Sequence, residues 1–143
     1  MADIKLAGVE NVYTQPESDK STWNRVFGGS GRDVIKLYQG EIIGGAGNDI
    51  LERMVLPNED RHVWVSYWDS GTGVTVNLLE DWAIDGFGGR DTLININHII
   101  MCTHFHSTIH SILLHFNPRI QTTTTTANHI NQLENETCFS RSK

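Results

Sequence analysis

Cross-linking has almost no material in this chain: 143 residues include two cysteines, Cys102 and Cys138, both in the last third. Everything before residue 102 must therefore be held together without disulfides. Basic charge is also scarce. Eleven Lys and Arg face 17 Asp and Glu, a formal net charge of −6, which disfavours nucleic acid and anionic membrane as partners because both need a basic surface that displaces counterions. Long apolar runs are missing as well. No stretch has the length of a transmembrane span, and residues 1–27 lack the basic start and apolar run of a cleaved signal peptide, so no membrane insertion is expected. Two further absences divide the chain: no glycine follows Gly89, and no acidic residue lies between Asp91 and Glu134. Residues 1–91 carry 15 acidic and 8 basic side chains, net −7, whereas residues 92–143 carry 2 and 3, net +1. The negative charge belongs to the glycine-bearing part, and cations are its natural partners.

That part repeats itself. Gly28-Gly29-Ser30-Gly31-Arg32-Asp33-Val34-Ile35-Lys36 returns as Gly44-Gly45-Ala46-Gly47-Asn48-Asp49-Ile50-Leu51-Glu52, the pattern G-G-x-G-x-D-x-U-x with U a large aliphatic residue. A partial third copy, Asp85-Gly86-Phe87-Gly88-Gly89-Arg90-Asp91-Thr92-Leu93, keeps the G-G-x-D-x-U end. Between the second and third copies, His62–Trp68 and Gly73–Leu79 are rich in Val, Trp, Tyr and Thr and flank the turn-forming Asp69-Ser70-Gly71-Thr72. They read as two strands joined by a tight turn.

Glycine-rich turns aim backbone carbonyls at a common centre, and the aspartate that follows adds a hard anionic oxygen. Calcium takes six to eight oxygen ligands at about 2.3–2.6 Å, mixing carboxylates with carbonyls, and tolerates irregular geometry. Each x-U-x triplet after the aspartate suits a brief strand with one inward aliphatic side chain, here Ile35, Leu51 and Leu93. Stacking such coils brings Asp33 and Asp49 together, and their mutual repulsion without a cation couples ion binding to folding.

At these residues the chain resembles the hemolysin-type calcium-binding repeats of the repeats-in-toxin family, over about residues 26–98. Gly73-Val74-Thr75-Val76-Asn77-Leu78 leading into the third copy and on to Ile96 is similar to a stretch common in such proteins. The resemblance implies an all-β fold, a short right-handed parallel β-roll with an inserted strand pair, and Ca2+ between loops of neighbouring coils. It implies as ligands Asp33, Asp49 and Asp91, with companions among Gly28, Ser30, Gly31, Gly44, Ala46, Gly47 and Asn48. It further implies secretion, calcium-dependent folding and attachment to other domains of a parent protein. Two departures stand out. The full copies start 16 residues apart, where two nine-residue half-turns need about 18, so the loop around Tyr38-Gln39-Gly40-Glu41 must be shortened. After His98-Ile99, Ile100-Met101-Cys102 supplies neither the expected Gly-Ser turn nor another aspartate.

No catalytic signature emerges. Gly29-Ser30-Gly31 lacks the third glycine of a dinucleotide fingerprint, no Gly-Lys-Ser/Thr occurs, and Arg32 stands where a nucleophile elbow needs glycine. The expected organisation is a lead segment 1–25, a calcium-binding roll 26–98, and a tail 99–143 that is irregular, helical or non-native. In the tail, Cys102, His104, His106, His110 and His115 have residue types that suit zinc, which leaves a small zinc enzyme as one alternative. Phe105, Ile109, Ile112, Leu113 and Phe116 have helical spacing, and Asn135-Glu136-Thr137 fits a glycosylation sequon. Trp23, Trp64, Trp68 and Trp82 suit packing or, alternatively, an adhesive surface for sugar or protein. The leading expectation is a binding and scaffold module, not an enzyme.

Overall fold

The computed structural model describes residues 1–100 and the backbone of strand residues 101–102 and 138–142. The described chain is all-β: β1 (Ala2–Lys5), β2 (Glu10–Thr14), β3 (Asn24–Ser30), β4 (Arg32–Leu37), β5 (Gly40–Ala46), β6 (Ile50–Arg53), β7 (Val63–Tyr67), β8 (Thr75–Asn77), β9 (Trp82–Ile84), β10 (Arg90–Ile94), β11 (His98–Cys102) and β12 (Cys138–Ser142), with one 3-10 turn at Glu17–Asp19. Two six-stranded sheets form, in the orders β1-β3-β5-β7-β11-β12 and β2-β4-β6-β10-β9-β8. Strands β1 to β6 thus alternate between the sheets. Neighbours from β1 to β11 in the first sheet and from β2 to β10 in the second are parallel. Orientation is mixed overall, because β12, β9 and β8 pair antiparallel.

The period-two alternation of each strand places two apolar ladders against each other. In the second sheet Tyr13, Ile35, Leu51 and Leu93 stand in register; in the first, Ile4, Val26, Ile42, Val65 and Ile99 do. Ile35, Leu51 and Leu93 are fully buried, as the repeat spacing predicts. Each such side chain contributes about 1.5–3 kcal/mol of transfer free energy, and no single coil could bury its own face.

The expected pairing of His62–Trp68 with Gly73–Leu79 does not form. β7 lies in the first sheet and β8 in the second, so Asp69–Thr72 carries the chain from one sheet to the other. Both edges of β7 are taken by β5 and β11, leaving none for β8. The strand pair that precedes the third repeat is instead β8 with β9, Val76 opposite Ala83.

The short repeat spacing is absorbed between β4 and β5, where Tyr38 and Gln39 alone separate the strands. Gln15, 1% exposed, holds that turn: its Oε1 accepts from Tyr38 N at 2.9 Å and Gln39 N at 3.4 Å, and its Nε2 donates to the carbonyls of Asp19 and Thr22, both at 2.9 Å. Leucine at position 15 would leave these groups without partners at about 1–3 kcal/mol for each one that water cannot reach. We expect Gln15→Leu to lower unfolding stability by about 3 kcal/mol in urea titration; an unchanged midpoint would show that the turn holds itself.

Candidate metal centre

The two full repeats run from the end of one strand, through a turn, into the start of the next. Gly28, Ser30, Gly44 and Ala46 lie in β3 and β5, Gly31 and Gly47 in the turns, Asp33 in β4, Asp49 just before β6, and Asp91 in β10. Parallel stacking of the coils brings the three aspartates into one column. Asn11 N donates to Asp33 Oδ1 at 2.9 Å, Asp33 N to Asp49 Oδ1 at 2.9 Å, and Asp49 N to Asp91 Oδ1 at 3.0 Å. All three carboxylates are buried, none more than 1% exposed. Each aspartate therefore closes the turn of the coil before it.

The second carboxylate oxygens differ. Asp91 Oδ2 accepts from the Tyr67 hydroxyl at 2.8 Å, but Asp33 Oδ2 and Asp49 Oδ2 are buried with no hydrogen-bond partner. Each sits 2.5 Å from where a Cβ would project at Gly28 and Gly44 respectively. Glycine at those two positions is what leaves the oxygens room. An unpartnered buried oxygen is costly when neutral and more so when charged, a cost that a proton or a cation would offset.

Charge and burial agree. Burial raises Asp49 from the usual carboxylate range to about 6, assisted by the charges of Asp33 and Asp85, while the amide of Asp33 pulls the other way. Burial likewise raises Asp91 to about 7, with the Asp49 amide and the Tyr67 hydroxyl opposing and the charges of Asp49 and Asp85 adding. The Tyr67 phenol is pushed well above its ordinary value by burial and by Asp91, so it remains a donor.

Among the described residues no group of three or more His, Cys, Asp or Glu side chains is placed to hold a metal by itself. Any ion held here would have to draw on backbone carbonyls as well, a donor set that would suit a hard cation better than a thiophilic or imidazole-seeking one. The Ala46 carbonyl accepts from Gly31 N at 2.8 Å and keeps a second lone pair. Ser30 and Asn48 are exposed; the Asn48 side chain accepts from Arg90 N at 2.8 Å, tying the second copy to the third. Asp85, 2% exposed, binds the third turn: Oδ1 accepts from Phe87 N at 2.9 Å and Gly89 N at 2.6 Å, and Oδ2 from Gly47 N at 3.2 Å.

Three participants escape a reading of the repeats. Asn11 occupies the aspartate register of a coil lacking the glycine turn, and only the Val12-Tyr13 that follows hints at the pattern. Tyr67 reaches Asp91 from 24 residues away in the other sheet, for which no local signal exists. Asp85 was visible as the first residue of the third copy but not as a clasp. The histidines His104, His106, His110 and His115, the helical spacing of 105–116 and the sequon at 135–137 lie outside the described residues.

Comparison of the chain with family models, curated proteins and solved structures found no match. No helix among the described residues is long and apolar enough to cross a membrane.

Proposed function

We propose that the chain is a calcium-binding scaffold whose repeats form a short parallel β-roll, with Ca2+ held between the turns of successive coils. The observation that carries this reading is the pair of buried, unpartnered oxygens, Asp33 Oδ2 and Asp49 Oδ2. The holding residues are Asp33 and Asp49, with carbonyls of Gly28, Ser30, Gly44 and Ala46, and Asp91 as a further carboxylate. The ion supplies positive charge to a column that is otherwise self-repelling, so binding energy becomes folding energy. Secretion and service to a larger parent protein follow from the family that the repeats resemble, and no catalytic role is assigned.

The test is calcium titration, with magnesium as control, followed by far-ultraviolet circular dichroism and thermal unfolding of the full chain. We expect calcium-specific stabilisation, about 2.7 kcal/mol at a hundredfold excess over Kd, and its loss in Asp49→Asn. A response equal for both ions, or equal in wild type and variant, would remove the reading.

A further inference from the structure

Away from the glycine turns, two imidazoles meet. His62 immediately precedes β7 and His98 opens β11; these strands are parallel neighbours with His98 opposite Trp64. His98 Nε2 and His62 Nδ1 face each other at 3.0 Å. The rings meet edge to face, centroids 4.9 Å apart at 88°. The His98 ring is stacked on Trp64 at 4.8 Å and 23°, which fixes its plane. Two ring nitrogens thus converge on one small volume at the surface, from residues 36 apart in sequence.

In the metal-free chain this is an imidazole–imidazole hydrogen bond, which an ion held by both nitrogens would replace. Two imidazole nitrogens bound to one metal at about 2.0–2.1 Å lie about 2.9 Å apart when they subtend a right angle and about 3.4 Å apart at a tetrahedral one. The hydrogen-bonded nitrogens at 3.0 Å already stand near the right-angle separation, the arrangement that Cu2+ and Ni2+ favour with nitrogen and oxygen ligands. We propose that His62 and His98 form a chelating pair for a borderline divalent transition ion, Cu2+ or Ni2+ in preference to Zn2+. No further His, Cys, Asp or Glu among the described residues completes a cluster there, so among those residues the two imidazoles are the side-chain ligands. The surroundings favour neutral, ligating imidazole at His98: burial, His62 and Arg53 lower its pKa, while the exposed Asp60 acts in the opposite sense. His98 Nδ1 is buried without a partner and carries the ring proton when Nε2 binds metal, which limits the affinity. Calcium, which seeks oxygen, does not compete here, so this pair stands or falls independently of the aspartate column.

The experiment uses full-length protein in excess calcium, in a background where His104, His106, His110, His115 and His129 are replaced by glutamine. Cu2+ is added and followed by electron paramagnetic resonance and tryptophan fluorescence. We expect one ion per chain, superhyperfine structure from two nitrogens, and quenching. His62→Gln and His98→Gln, checked for an unchanged circular dichroism spectrum, should each weaken binding at least about tenfold, since loss of outer-sphere partners alone costs about that much. Trp64→Phe should keep the copper spectrum and lose most of the quenching. A spectrum with fewer than two nitrogens, or wild-type affinity in either folded histidine variant, would overturn the proposal.

Discussion

Gly47→Ala will unfold the repeat region or bring it close to unfolding, with a stability loss of about 4 kcal/mol or more by chemical denaturation. Gly47 has φ of +141°, and a Cβ there would run into the carbonyl of Gly31 in the coil below. Two effects add. Positive φ strains any side chain by about 1–3 kcal/mol, and the clash is with backbone, which cannot rotate away. Moving Gly31 is no remedy, because its own Cα faces the Val9 carbonyl equally closely. The coils approach until carbonyl oxygen meets Cα, and the same closeness brings Asp33 and Asp49 within hydrogen-bonding reach of their neighbours' amides. Gly29→Ala is the comparison: its φ is also positive, +108°, but nothing lies within 4 Å of its Cβ position, so it should lose only the strain. Equal effects at the two positions would show that close stacking does not set the tolerance.

In a calcium-free buffer the thermal midpoint will fall as pH is raised from about 4 to about 8. The unfolded carboxylates titrate near 3.9, whereas Asp49 and Asp91 in the folded chain titrate at about 6 and about 7. Both folded values are raised, so this contribution to stability is fully present below pH about 4 and is lost as pH climbs through 6 and 7. At about 1.4 kcal/mol per pKa unit the two residues together represent several kcal/mol. Glu59, whose carboxylate is lowered by hydrogen bonds from Lys20 and Arg61, works the other way but is solvent-screened. Calcium should restore the midpoint at pH 7.5 and do so less at pH 5, where protons already neutralise the column. An apo midpoint that is flat or rises over this range would mean that the buried carboxylates are better solvated than their geometry indicates.

Much of the repeat region is legible in the sequence, and the reason is that its constraints are local. Gly47 and Gly31 are needed because of a turn, Ile35 and Leu51 because of a two-residue alternation, and Asp33 and Asp49 because of their distance from those turns. What escapes is whatever depends on pairing between distant segments. β1 and β2 carry no glycine turn of the repeat type, yet they pair with β3 and β4 because Ile4 and Tyr13 fit the ends of the two apolar ladders. The error over β7 and β8 has the same origin. Two strand-like stretches around Asp69-Ser70-Gly71-Thr72 suggest a hairpin, but strand edges are allotted by the whole sheet, and those of β7 had gone to β5 and β11.

The antiparallel strands have one more effect. In each sheet the parallel series stops at a strand whose outer neighbour runs the other way: β12 beside β11, and β9 then β8 beside β10. On that side the described sheets end in strands that run against the parallel series, so a further coil there would meet an edge of the opposite direction. At the other side β1 and β2 are the outermost described strands of their sheets, and both would accept a parallel neighbour. A strand added along β1 and β2 would therefore extend the parallel series itself, and there the exposed Asp3, Lys5 and Glu10 discourage unselective pairing.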